Sequence, residues 1–264
     1  MNAVRKMDSA WLRFRARRFI ELCHVLAIVV VGISLFPAVA FLYFLWQALA
    51  PWAPWLKLLV FSLCMGPAYF LFGMMLILTS VVLRFVLGLG IRPGLYGFQD
   101  WEAIRWMGYN TFILVVNKCF LDNFRLSPFQ TFFYRAMGAR IGRDVKINTH
   151  GFADLSLIEI GDRAVIGDGV TLICHAADRG FLRLAPVRVG KDVSIGLDTI
   201  IMPDVELGEG AVISPRSVLI SGTRVPPRGR WGGTPARDIR HFRRFPREPR
   251  REGRREEGRE QNPS

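Results

Sequence analysis

The sequence predicts a mainly β chain, a parallel β-helix of hexapeptide coils preceded by a two-helix transmembrane hairpin and an amphipathic collar. Three observations predict it. An aliphatic residue returns every six positions through 141–237. Two long runs carry no charge. A segment mixing aromatic and basic residues joins those runs to the repeat.

The repeat opens with Ile141, Ile147 and Ala153, then Ile160, Ile166 and Leu172, each followed by a small or polar residue or by Ile173. After a break it resumes at Val189 and keeps register through Ile195, Ile201, Leu207, Ile213, Leu219, Val225 and Trp231. A fixed hexapeptide period marks a parallel β-helix in which each unit is a short strand plus a turn. Three units close one triangular coil, and stacked coils bury the aliphatic position in one continuous core. A β-sandwich also tolerates a spacing of six, but eight frames in unbroken register are hard to reach by chance.

Positions 25–56 contain no charged residue, and after Lys57 a second uncharged run covers 58–83. Each exceeds the roughly 20 apolar residues that cross a bilayer. Spanning helices are expected at 25–49 and 56–83, joined by a tight turn whose Trp52 and Trp55 suit the interface. The 1–24 flank is basic, as is the segment after the second span, whereas the turn adjoins only Lys57. The positive-inside rule therefore puts the N-terminus and the repeat domain on the cytoplasmic side of an integral membrane protein. The collar, 84–138, holds Trp101, Trp106, Phe120 and Phe124 among Arg105, Lys118 and Arg125. Its 111–120 run is too short to span, and 128–137 reads as an amphipathic helix leading into the first coil of the 139–237 domain. The last segment, 238–264, is a charged tail with too little apolar surface to fold.

The net charge of +13 raises nucleic acid as a partner, but the basic residues flank apolar spans, so the membrane is the expected partner and nucleic acid is not. The four cysteines have neither disulfide-framework nor zinc-site spacing.

Chemistry is expected where the hexad register breaks. Seventeen positions separate Leu172 from Val189, so about 177–186 must leave the coil as a loop, and loops on a rigid scaffold concentrate catalytic residues. His175 stands at its mouth and suits a general base near neutral pH. Asp178, or else Asp154, would orient its imidazole. His150 is the second candidate base. With only His150 and His175 in the coils, three protein ligands for a catalytic zinc are not assembled, and no metal is expected.

The I-G-x-x-V units at 141–145 and the closing Trp231-Gly232-Gly233-Thr234-Pro235-Ala236-Arg237 resemble the hexapeptide-repeat acyltransferases. Within that family, 154–234 looks most like the C-terminal repeat domains of some peptide synthetases and like polysaccharide O-acetyltransferases. The resemblance implies a left-handed coil and a homotrimer with its active site between two β-helices. It also implies acetyl-CoA as donor, held by Trp231, Gly233, Thr234, Pro235, Ala236 and Arg237. Family members commonly carry a catalytic histidine in or beside such a loop. The similar synthetase ends read T-H-x-x-E-D-R here, and Cys174 replaces the threonine. The expected function is a membrane-anchored acyltransferase with His175 as base. Its acceptor would be a hydroxyl or amine of a lipid-linked sugar, a polysaccharide precursor or a peptide-like amine. The competing reading is a non-catalytic, trimeric, membrane-tethered scaffold of a biosynthetic complex, which would need no polar loop mouth.

Overall fold

A computed structural model describes residues 9–98 and 100–240. Helix α1 (Ser9–Ala48) and helix α2 (Pro54–Val86) pair through a turn at 49–53, with Trp46 edge-on to Phe61 at 5.3 Å. From Ser9 onward the basic flank is not a separate element. No Gly or Pro interrupts 9–31, so the helix runs through it without a break. Both helices are long and apolar enough to cross a membrane, by length and composition. The charged tail from 241 onward lies outside the described residues.

The collar is a helical block wedged between the hairpin and the first coil. Helix α3 (Trp101–Cys119) is longer than the 111–120 run suggested, and it packs against both α1 and α2. At its end Tyr69 Oη donates to the Cys119 carbonyl at 2.9 Å, and Phe120 lies against Gly73, where any Cβ would overlap the ring. Helix α4 (Pro128–Ala136) starts as its sequence dictates. Pro128 occupies the first turn, where no amide hydrogen is needed, and the Ser127 hydroxyl accepts from Gln130 N. Its inner face buries Phe133 and Tyr134, while Arg84 of α2 donates to the Ala136 carbonyl. Gln130 Nε2 then ties α4 to the coil by donating to Thr149 O at 2.6 Å.

The repeat forms three sheets of parallel strands two to four residues long, visited in rotation. Ser194 and Ile195 pair with Val212 and Ile213, and Ile200 and Ile201 with Val218 and Leu219, so one turn of the coil takes eighteen residues. The inward columns are Ile166–Ile195–Ile213, Leu172–Ile201–Leu219 and Ile160–Val189–Leu207–Val225, all 4% exposed or less. One expected frame slips. Ala153 is only half-buried, and Phe152 fills the core and bridges to Leu172 instead. Corners are made by residues in the left-handed region, among them Asp192, Asp198 and Asp204, a conformation that Asp tolerates better than most side chains. Where coils stack tightly only glycine fits. A Cβ on Gly190 would stand 2.8 Å from Glu209 N and 2.9 Å from Leu207 O.

The break in register becomes a β-hairpin. His175–Asp178 and Phe181–Leu184 pair antiparallel, and Ala185 N closes the base on Cys174 O at 2.8 Å. A strand of the collar, Gly94–Gly97, adds to the outer edge, so the expected loop becomes part of a three-stranded sheet.

Candidate active site

The site is built where α3, the second coil and the hairpin meet. Leu172 ends its strand in the core, and two residues later the chain turns outward, leaving Cys174 buried and His175 part-exposed. One coil below, Asp154 takes a left-handed corner (φ 56, ψ 41) and points its carboxylate inward, where it is fully buried. A buried carboxylate is costly unless its lone pairs are filled, and here all are. Oδ1 accepts from Trp106 Nε1 at 2.6 Å and Asn110 Nδ2 at 2.8 Å. Oδ2 accepts from Cys174 N at 2.9 Å and lies 2.6 Å from His175 Nδ1. Asn110 Oδ1 also accepts from Asp154 N at 2.9 Å, so one amide side chain grips both the backbone and the carboxylate of Asp154.

The consequence for His175 is a fixed tautomer. A carboxylate only accepts, so Nδ1 carries the hydrogen and Nε2 holds the free lone pair. Among the described residues no group hydrogen-bonds Nε2, and the side chain is 27% exposed. The Trp106 ring stands edge-on to the imidazole at 4.9 Å, which limits its rotation. Behind it, burial first and the Asp154 charge second push the Cys174 thiol up, so this cysteine is a neutral packing group, its Sγ 3.7 Å from Leu157 O.

Asp178, expected as the catalytic partner, is not brought to His175. It sits at the hairpin tip opposite Phe181, 83% exposed, with its carboxylate 3.9 Å from Arg179. Three residues along an extended strand carry a side chain about 10 Å away. The carboxylate that meets His175 Nδ1 is that of Asp154.

His150, the second candidate, also meets α3 but at its other end. Its Nδ1 lies 2.7 Å from Asp122 Oδ1, off line for a hydrogen bond, and its Nε2 lies 3.5 Å from Lys118 Nζ. Among the described residues no group of three metal-ligating side chains is assembled.

No protein-family model matches the chain. Delta-poly-L-ornithine synthetase of Acinetobacter baumannii (strain AB307-0294) is 31% identical over 117 residues, 44% of this chain and 9% of the synthetase. The candidate acetyltransferase YvoF of Bacillus subtilis (strain 168) is 29% identical over 144 residues, 51% of this chain and 83% of YvoF. Chloramphenicol acetyltransferase of Agrobacterium fabrum (strain C58 / ATCC 33970) is 41% identical over 64 residues, 24% of this chain and 30% of that enzyme. The chain therefore spans less than a tenth of the synthetase and most of YvoF. In sequence the chain is similar to proteins named as acetyltransferases. Among solved structures, the maltose O-acetyltransferase of Clostridium difficile 630 aligns at 20% identity over 56% of this chain and 91% of its own, with a TM-score of 0.43.

In this hexapeptide-repeat domain the expected donor turn closes the last coil. Trp231 stacks in register on Ile213, and the chain reverses so that Gly233 pairs with Ala236 across Thr234 and Pro235. Gly233, at φ 97, donates its N–H to Ser217 Oγ at 3.2 Å, and Thr234 Oγ1 lies 3.5 Å from Arg216 O. Through Ile213 and Ile195 the Trp231 column descends three rungs to Ile166, about 14 Å. The donor turn and His175 are thus set apart along the prism, on rungs that an extended ligand would have to bridge.

Proposed function

We propose that the chain is a membrane-anchored acyltransferase that moves an acetyl group from acetyl-CoA to a hydroxyl or amine near the membrane, with His175 as general base. The observation that carries the reading is the His175–Asp154 pair, with Nδ1 committed to a buried carboxylate and Nε2 free at the protein surface. In this arrangement Nε2 takes the acceptor proton as its oxygen or nitrogen attacks the thioester carbonyl. The imidazolium that forms is stabilised by Asp154 without proton transfer to it. When the tetrahedral intermediate collapses, the C–S bond breaks and the imidazolium returns its proton to the leaving thiolate. Chemistry balances with one acetyl group moved and one free thiol produced.

The rest of the proposal follows the family resemblance. The coil is a left-handed β-helix, and 231–237 closes the donor groove. The domains divide as basic flank 1–24, spans 25–49 and 56–83, collar 84–138, repeat 139–237 and tail 238–264. Three copies close around a threefold axis, which satisfies the flat faces of a triangular prism symmetrically. One of those faces carries Arg140, Glu159, Arg188, Glu206 and Arg224 in alternating sign, with Arg140 to Glu159 at 2.9 Å and Arg188 to Glu206 at 2.7 Å. The hairpin keeps the N-terminus and the repeat domain on the cytoplasmic side.

The test uses labelled acetyl-CoA with membranes from cells lacking this chain, supplemented with the purified protein. Label is expected to enter a membrane-associated acceptor and to disappear with His175→Ala. Full transfer by His175→Ala would overturn the assignment and favour the scaffold reading.

A further inference from the structure

Stacked coils brace one another through their corners. At later corners a residue in the left-handed region donates its N–H to a carbonyl of the coil before. Asp192 N donates to Asp162 O at 2.9 Å, Asp198 N to Asp168 O at 2.8 Å and Gly222 N to Asp204 O at 3.1 Å. Asp154 has the same left-handed backbone, but it stands in the first coil, which follows α4 and has no coil before it. Its N–H donates instead to Asn110 Oδ1 of α3 at 2.9 Å. Helix α3 thus stands where a preceding coil would be.

A terminal coil needs a cap, and several bonds from α3 serve that need alone. Ser156 N donates to Tyr109 Oη at 3.0 Å, and Asn117 Nδ2 donates to His150 O at 3.1 Å. These satisfy backbone groups that a coil would otherwise have satisfied. Two further bonds do not. Trp106 Nε1 and Asn110 Nδ2 both donate to Oδ1 of Asp154, a side-chain atom. The carboxylate is therefore divided. Oδ1 belongs to α3, and Oδ2 belongs to Cys174 N and His175 Nδ1. The torsion that turns a carboxylate is broad and soft. With two donors on each oxygen, it cannot turn without breaking charge-assisted bonds. Trp106 has a second contact that Asn110 lacks. Its ring stands edge-on to the His175 imidazole at 4.9 Å, so one side chain touches both members of the pair.

We infer that α3 is both the end cap of the β-helix and the element that positions the histidine–aspartate pair, with Trp106 as the positioning residue. The inference rests on the His175 transferase reading above. Trp106 acts through Asp154 and His175 and takes no proton itself. Two of the four donors to the carboxylate come from a helix outside the repeat. That helix is fastened in turn to the end of α2, where Arg105 donates to the Gly88 carbonyl. The coils alone do not hold the pair in working geometry.

A double-mutant cycle tests this, read as transfer from labelled acetyl-CoA with membranes from cells lacking this chain and the purified full chain. Trp106→Phe keeps a ring beside His175 and removes the N–H. Turnover is expected to fall roughly tenfold, the worth of one bond to a charged group, with KM for acetyl-CoA unchanged. Asp154→Gly keeps the left-handed corner, which glycine adopts freely, and removes the carboxylate. In that background Trp106→Phe is expected to change the residual turnover by less than about twofold, because groups that act as one unit are not additive. An equal loss in both backgrounds would overturn the inference, as would full turnover by Trp106→Phe alone. Gln130→Ala is the control. It removes a different bond of the cap, from α4 to Thr149 O at 2.6 Å. It should lower the urea midpoint and leave turnover per folded protein unchanged. A tenfold loss there would leave Trp106 with a capping role only and overturn the inference. If Trp106→Phe does not fold, Asn110→Ser takes its place in the cycle, and an additive loss overturns the inference in the same way. No transfer by the unaltered chain would instead sink the transferase reading.

Discussion

His175 and His150 each place Nδ1 within 2.7 Å of an aspartate, and α3 contributes to both pairs, one near each of its ends. Their surroundings differ in ways that decide chemistry. Asp154 is fully buried, accepts from Trp106, Asn110 and Cys174 N, and meets His175 in line. Asp122 is part-exposed, contacts His150 out of line, and shares Lys118 with it. The ammonium can only donate, so it faces the one lone pair that His150 would need as a base. A histidine beside an aspartate is therefore not enough. The carboxylate must be held in place by other donors, and the far nitrogen must be left open.

The largest expected effect separates the two histidines. His175→Ala should lower the turnover number by roughly a hundred- to ten-thousandfold, the usual worth of a positioned general base. His150→Ala should change it by less than about threefold, within the effect of a surface substitution. Steady-state acetyl transfer with each variant measures this, and the reverse order would exchange the roles assigned here.

The aspartates extend the contrast. Asp154→Asn keeps shape and tolerates the left-handed corner, but its amide no longer forces the Nδ1–H tautomer. Loss of orientation of this kind is expected to cost roughly a hundredfold or more in turnover while the fold is kept. Asp122→Asn should be near neutral. Circular dichroism distinguishes a lost tautomer from a lost fold.

Next in size is Asn110. Asn110→Ala removes one bond to the Asp154 carboxylate and one to its amide. About 1–2 kcal/mol of positioning is at stake, or roughly tenfold in turnover. Because Asn110 lies on α3 and the donor turn is at 231–237, KM for acetyl-CoA should stay unchanged. A rise in KM with constant turnover would mean that α3 serves donor binding instead.

How much of this could be read in the sequence depended on whether the signal was periodic. The coils were legible because each inward residue recurs at six, and His175 because the period fails beside it. The exception within the repeat, Phe152 for Ala153, arose because the first coil takes five residues from Ile147 to its next inward position where the second takes six from Ile166 to Leu172. Asp178 was misjudged because the loop is an extended hairpin, which carries nearby sequence positions away from one another. Trp106 and Asn110 left no trace. They lie 48 and 44 residues before Asp154, on a helix whose pattern speaks only of packing. Their i, i+4 spacing next to a half-buried helical face is the one signal that fits, and it does not identify a distant carboxylate.

The smallest expected effect is also the finest division between the two pairs. Lys118→Met removes the ammonium from His150 Nε2 and an exposed i, i+4 ion pair with Asp122. Such a pair contributes at most about 1 kcal/mol, so urea unfolding should shift little. On its own the substitution should leave acetyl transfer unchanged. The informative measurement places it in the His175→Ala background. If Lys118 alone kept His150 silent, freeing its lone pair would restore part of the lost turnover. The off-line contact with Asp122 predicts otherwise: an imidazole whose aspartate is neither buried nor fixed by other donors is not held toward a substrate. The double variant should stay at the His175→Ala rate. A recovery of tenfold or more would show that the open nitrogen matters more than the carboxylate behind it, and would make His150 a second base at the C-terminal end of α3.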